Sequence, residues 1–296
     1  MPHSRFLRFL VGMALVLLIA VPGFAIANAQ ISTFGMEQGE LNQTLPGDEL
    51  LPTPIIYWQH AVTINARPEE VWPWIIQIGD TRAGFYSYMF IEQLIGGPGL
   101  YHNADRVHPE WQNPPKGQGL IGDWVVLREY QPGQYMISEA TEKMGGLGWT
   151  WLWRITPTGN GRTRLTIHMR IQAPPGTGGE EGMKTFMNLG GFIMERNMMT
   201  GLKTRVEGGS EPGFTEPLEI ILWLAALAAG LVAAARFITR PDWRLPLTLG
   251  LAALIVLFWL TFIQPSLWLR LLAVVALTGG LVWESHSKSF ALLAGG

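Results

Sequence analysis

From Ile56 the chain alternates. Ile56, Trp58, His60, Val62 and Ile64 fall on one face, and Gln59, Thr63 and Asn65 on the other. That period of two predicts a half-buried strand. It stops at Ala66-Arg67-Pro68. Pro68-Glu69-Glu70 then opens a helix with proline in the first turn and acids at the positive end of the dipole. Val71, Trp72, Ile75, Ile76 and Ile78 supply its apolar side, and Gly79 closes it. A second short helix is expected over Tyr86–Ile95, ended by Gly96-Gly97-Pro98, followed by a long loop over 97–118. Strands are expected at Ile121–Glu129 and Gln134–Ala140, with Gln131-Pro132-Gly133 as the turn. Trp149, Trp151, Trp153 and Ile155 share one face of a further strand, and Leu165, Ile167, Met169 and Ile171 one face of the next. Thr158-Gly159-Asn160-Gly161 is the hairpin between them. After Pro174-Pro175-Gly176 a long helix is predicted from about Glu180 to Val206. Met183, Met187, Gly190, Met194 and Met198 recur along it, with Phe186 and Ile193 alongside.

Both ends of the chain read differently. Phe9–Ala27 is apolar behind Arg5 and Arg8, and Ala27-Asn28-Ala29 before Gln30 suits a signal-peptidase cut. A signal peptide and an uncleaved anchor both fit. Leu218–Ile238, Leu245–Ile263 and Leu267–Trp283 each have about the length a helix needs to cross ~30 Å of hydrocarbon. Arg236, Arg240 and Arg244 lie between the first two of these, and Glu211, Glu216 and Glu219 precede the first. The positive-inside rule then puts the Arg loop in the cytoplasm and residues 31–216 outside it. Arg270, one turn into the last span, is expected to snorkel to the headgroups.

Composition narrows the possibilities. Only 15% of the 296 residues are charged, where about 25% is usual for a soluble domain. The deficit lies at the C-terminus. Without cysteine there is no disulfide and no thiolate metal site. Residues 31–217 are net acidic, so they offer no footprint for nucleic acid.

The opening Val62-Thr63-Ile64-Asn65-Ala66-Arg67-Pro68-Glu69-Glu70-Val71-Trp72-Pro73-Trp74-Ile75 resembles the strand–Ala-x-Pro-Glu-x-Val-Trp entry of the SRPBCC superfamily. These are the START, Bet v 1 and polyketide cyclase-like proteins. Ala83-Gly84-Phe85-Tyr86-Ser87, then Ala104-Asp105-Arg106-Val107-His108-Pro109-Glu110-Trp111-Gln112 and Gly122-Asp123, is similar to a bacterial subgroup with an ADxIxPExQ…GD segment. Met194-Glu195-Arg196 matches the closing helix. Asn113-Pro114-Pro115-Lys116-Gly117-Gln118 departs from the pattern, and membrane spans lie outside the family core. The resemblance covers about 55–208 and implies an α+β helix-grip fold: an antiparallel curved sheet around a long C-terminal helix. A bundle of three transmembrane helices follows it here.

The expected organisation is 1–29 signal peptide or anchor, 30–54 linker, 55–208 SRPBCC/START-like domain, 209–217 linker, 218–284 three transmembrane helices and 285–296 cytoplasmic tail. A helix gripped by a sheet leaves a pocket between their inward faces. Aromatic and methionine walls suit an apolar ligand. The expected ligand-binding residues are Trp58, His60, Tyr86, Trp149, Trp151, Trp153, Met187 and Met194; the same stripe also suits plain core. His168 falls on the opposite face with Arg164, Thr166, Arg170 and Gln172 and is expected to be solvated. His102, Asp105, His108 and Glu110 read as surface polarity rather than a metal site, and Glu110 and Asp123 as braces of the loop. No Ser-His-Asp order, HExxH, phosphate loop or dinucleotide pattern occurs.

The expectation is a multi-pass cell-membrane protein with the domain extracytoplasmic. It would hold a hydrophobic small molecule or lipid, with the bilayer as its other partner and without a cofactor, metal or catalytic residues. A polyketide cyclase/aromatase-like enzyme, with His60 or a loop carboxylate as base, and a membrane interaction protein with a filled core stand as alternatives.

Overall fold

The structure is a computed structural model. It describes residues 4–41, 43–97, 99–174, 182, 184–185, 187–209 and 214–294. Two compact units divide the chain: Asn28–Pro212, and Met1–Ala27 together with Gly213–Gly296.

The first unit is α+β. A six-stranded antiparallel sheet runs in the order β1-β6-β5-β4-β3-β2. Its strands are β1 (Ile56–Ile64), β2 (Gly119–Ile121), β3 (Val125–Gln131), β4 (Tyr135–Ala140), β5 (Gly148–Thr158) and β6 (Arg162–Gln172). The alternating strands form as expected, and β5 and β6 pair from Gly148↔Gln172 to Thr158↔Arg162. The single strand expected over Ile121–Glu129 is instead two, because Gly122 takes φ 49° and turns the chain back. Helix α2 spans Pro68–Ile76, its Glu70 side chain accepting from the Arg67 N–H at 2.8 Å as an N-terminal cap. Helix α3 spans Met89–Gly96. It starts later than expected: Tyr86 sits at φ 59°, where its N–H donates to Asn103 Oδ1 at 2.7 Å.

The closing helix α4 covers Phe192–Val206, preceded by a π-turn over Met187–Gly191. Residues 180, 181, 183 and 186 of the expected longer helix lie outside the described residues. A π-turn adds a residue to the turn and so rotates the downstream side chains about the helix axis. The buried stripe therefore reads Glu195, Met198, Met199 and Leu202, while Met194 is only half-buried. Gly191 marks close packing, since a methyl there would lie 2.8 Å from the Trp58 ring.

The segment expected to be a loose linker packs instead as a strap. Ile31 is buried, and the Ser32 and Phe34 carbonyls accept from the Gln59 and Ala61 N–H groups at 2.8 and 2.9 Å, alongside β1. Further on, Glu40 pairs with Arg164 and Asp48 with Arg170, while Leu45 packs with Ile137 and Leu152. The strap covers the outer sheet face, so His168, expected in solvent, is 3% exposed.

The second unit is helical. Four helices are long and apolar enough to cross a membrane: Arg5–Asn28, Thr215–Thr239, Arg244–Ile263 and Leu267–His286. The first lies within α1 (Arg5–Ile31), and the others within α5 (Thr215–Thr239), α6 (Arg244–Phe258, continued by a π-turn over Trp259–Ile263) and α7 (Leu267–Ala294). Small residues set the α5–α6 contact: a methyl on Gly230 would come 3.1 Å from the Ala253 methyl. Charges bracket the apolar stretch. Arg270 meets Glu219 at 3.2 Å near the starts of α7 and α5. Glu284 meets Arg236 and Arg240 at 2.7 and 2.9 Å near their ends. Those two helices thus run parallel. Arg270 is buried and ion-paired rather than snorkelling, because Glu219 faces it across the bundle.

Candidate functional site

Period-two alternation on β1 and β5 and the rotated stripe on α4 bring Trp58, His60, Trp151, Trp153 and Glu195 inward. His60 and Glu195 are 0% and 2% exposed. Glu195 Oε1 lies 2.6 Å from His60 Nδ1, and the Trp58 indole N–H donates to both carboxyl oxygens at 3.2 Å. His60 Nε2 faces the Ile31 carbonyl. A carbonyl only accepts, so Nε2 is the donor to Ile31, and Nδ1 faces the Glu195 carboxyl. Phe34 and Phe192 close the cluster with ring contacts to His60 at 6.4 and 5.5 Å. Both ring nitrogens of His60 are committed, which leaves none for an incoming molecule.

Tyr86 is locked as well. Its hydroxyl donates to the Trp74 carbonyl at 2.9 Å and accepts from Gln77 Nε2 at 2.8 Å, and burial pushes its phenol pKa well above the usual value. Gly201 of α4 presses on its backbone: a methyl there would meet the Tyr86 carbonyl.

The three β5 indoles form one wall, with ring centroids 6.2 Å apart from Trp149 to Trp151 and 5.3 Å from Trp151 to Trp153. Trp153 is fully buried, whereas Trp149 and Met187 are half-buried against the same core. The wall thus loosens toward the end where the strand begins. Among the described residues none of the three indole N–H groups has an acceptor, although each nitrogen is covered. A buried donor left unpaired costs about 1–3 kcal/mol.

The family-like loop acts as a brace. Gln77 Oε1 accepts from the His108 N–H at 2.9 Å, Gln112 Nε2 donates to the Pro73 carbonyl at 3.2 Å, and Asp80 Oδ2 accepts from the Gly122 N–H at 2.5 Å. Glu110 pairs with the half-buried His108, and Asp123 with Lys143 in solvent. Among the described residues no three His, Asp or Glu side chains come together to hold a metal.

The structure therefore unites Trp58 and His60, lines up Trp149, Trp151 and Trp153, packs Met187 half-buried against the same core, and sets Tyr86 apart in a bonded core position. Met194 contributes its carbonyl, which accepts from Ser87 Oγ at 2.8 Å. Glu195 had no role in the sequence reading. Its signal was present, because an acid at i of an i, i+3, i+4, i+7 series with Met198, Met199 and Leu202 must face the core and find a partner there.

No family model and no curated protein matches the chain. Solved structures resemble it at low identity. The di-domain aromatase/cyclase StfQ of the steffimycin biosynthetic pathway is 13% identical with a TM-score of 0.32, over 55% of this chain and 54% of its own. This chain thus spans about half of that protein. Protein MLL2253 from Mesorhizobium loti is 12% identical (TM-score 0.27, 52% and 99% covered). A conserved protein of unknown function, EF2215 from Enterococcus faecalis, is 14% identical (TM-score 0.29, 58% and 84% covered). At these scores the architecture rests on the sheet order and α4.

Proposed function

We propose that the chain is a membrane-anchored module that binds a hydrophobic small molecule or lipid against the β5 wall. The observation that carries this is the row of covered indole N–H groups on Trp149, Trp151 and Trp153 with no acceptor among the described residues. A ligand with an apolar body and carbonyl or ether oxygens would enter where Trp149 and Met187 are half-buried and accept those bonds, repaying an otherwise unexplained cost. Four membrane-length helices fit an anchor. The Arg236, Arg240 and Arg244 cluster supports a sheet domain outside the cytoplasm, by the positive-inside rule.

A cyclase-type reaction has the buried His60–Glu195 pair in its favour. General-base work needs one free ring nitrogen, so that reading requires the Ile31 contact to break.

Native mass spectrometry of the full chain released from mild detergent is expected to show a retained apolar adduct. An anilinonaphthalene probe is expected to quench tryptophan emission, less so in Trp149→Phe. A chain that carries no adduct and leaves its emission unchanged with the probe would sink the proposal.

A further inference from the structure

The opposite face of the β5–β6 hairpin carries chemistry that the apolar site does not use. Alternation sends Arg154, Thr156 and Thr158 of β5 to that face with Arg162, Arg164 and Thr166 of β6. The register sets Arg154 opposite Thr166, Thr156 opposite Arg164 and Thr158 opposite Arg162. A cation faces a hydroxyl at each of these rungs. Strap residues, among them Met36, Glu37, Glu40 and Leu45, lie over this pattern and leave a half-open cavity of about 370 Å³ against it. That volume is within the range of small-ligand sites.

Its charges do not cancel. Glu40 is spent on Arg164, accepting from Nε at 2.9 Å and from Nη2 at 2.6 Å. Arg164 also donates to Thr63 Oγ1 at 3.3 Å. The guanidinium groups of Arg154 and Arg162 make no hydrogen bond or ion pair with any described residue, although both line the cavity. Glu37, the other acid in the wall, is exposed and free to turn to water. Thr158 adds a covered hydroxyl without a partner among the described residues.

We infer that this outer pocket binds the phosphoryl group of a phosphate-bearing molecule, with Arg154 and Arg162 as the contacting cations and the Thr156 and Thr158 hydroxyls as further donors. One carboxylate is saturated by a single guanidinium fork. A phosphoryl group has charge and acceptor oxygens enough for two. The two arginines stand four rungs apart, ~14 Å at a ~3.4 Å rise, so their long side chains close on one group from opposite ends. Arg154 and Thr156 also border a second, more open cavity of about 760 Å³, beside Thr44, Pro46 and Tyr135, which gives the rest of the ligand room. The phosphoryl group is that of a soluble ester or of a lipid headgroup. The site is independent of the apolar one.

The test uses the full chain and reads thermal unfolding. One arm adds pyrophosphate or phenyl phosphate in detergent. The other compares nanodiscs of phosphatidylcholine alone with nanodiscs that also contain phosphatidylglycerol. A rise in Tm in the first arm identifies a soluble ester, and a rise confined to phosphatidylglycerol identifies a headgroup. In either case Arg154→Gln and Arg162→Gln should each weaken the response about tenfold, as loss of a charge-assisted bond implies. Arg162→Lys should fall between, and Arg128→Gln, outside the pocket, should match the parent. No response in either arm, or an undiminished response in the double Arg154→Gln/Arg162→Gln variant, overturns the assignment.

Discussion

The two faces of one sheet are both covered here, by different means. On the inner face α2 and α4 bury Ile64, Ile75, Leu165, Ile167 and Leu202 completely, and the ionisable groups His60 and Glu195 face each other there. On the outer face the covering layer is a strap with little regular structure, held by Glu40–Arg164, Asp48–Arg170 and a small apolar cluster around Leu45. Apolar packing fills space because it rewards every contact. Ion pairs reward only their own geometry, and they leave cavities between them. Among the described residues the strapped face therefore keeps open space and spare cations, while the helix-covered face keeps unpaired indole donors.

The largest expected effect tests whether the inner face depends on the His60–Glu195 contact. Glu195→Ala leaves the His60 Nδ1 and the Trp58 indole N–H without their partner in a dry core. Breaking a buried pair from one side costs about 3–5 kcal/mol. Denaturant unfolding of the full chain in detergent measures it, and a loss below about 1 kcal/mol would mean that the pair is solvated or idle. Glu195→Gln should cost less, because it still accepts from Trp58.

The second expectation concerns the outer face. His168 lies under the strap, and burial, partly offset by Asp48 at 3.5 Å, lowers its pKa from 6.5 to about 4. The folded state thus resists protonation that the unfolded chain accepts. Above pH 6.5 both states hold a neutral ring. As the pH falls from 6.5 toward 4 the unfolded chain binds more protons, and stability drops by up to about 3 kcal/mol. Urea titrations across that window should show the decline, and His168→Phe should flatten it. An unchanged slope in the variant would assign the acid sensitivity elsewhere.

The contrast between the faces also explains what could be read from the chain alone. Strands β1, β5 and β6 were legible because their alternation is long. The β2–β3 hairpin was hidden, since apolar residues run on both sides of the Gly122 turn and look continuous. The last helix was legible in kind but not in phase: the π-turn at Met187–Gly191 moved Met194 toward the rim and Glu195 into the core. The strap left no periodic trace at all. It is held by the carbonyls of Ser32 and Phe34 and by scattered acids, and its Gly and Pro residues read as a tether. The alternation of β6 gives the face of His168 but not its burial, because its cover is that strap. The Trp wall was visible from spacing, whereas the missing acceptors for its N–H groups needed coordinates.

A smaller effect probes how tightly the inner face is filled. Gly191→Ala puts a methyl 2.8 Å from the Trp58 ring, which is fully buried and has nowhere to go. Overpacking of this kind costs about 1–3 kcal/mol. A neutral outcome would mean that the helix slides away from β1, and the interior is then looser at its centre than its burial implies.

The smallest expected change in stability separates the faces most directly. Arg164 holds Glu40 by two charge-assisted bonds and keeps the Glu40 carboxyl pKa below its usual value. The pair is only partly buried, so Glu40→Gln should cost about 1 kcal/mol or less, after allowance for solvent screening. The same substitution removes the acid that neutralises one of three arginines in the outer pocket. Affinity for pyrophosphate should then rise while stability falls slightly. On the inner face the equivalent loss, Glu195→Ala, only destabilises. A Glu40→Gln chain that binds pyrophosphate more weakly than the parent would mean that the acid shapes the pocket rather than competing with its ligand. The spare-cation account of the strapped face would then fail, whatever happens to the helix-covered one.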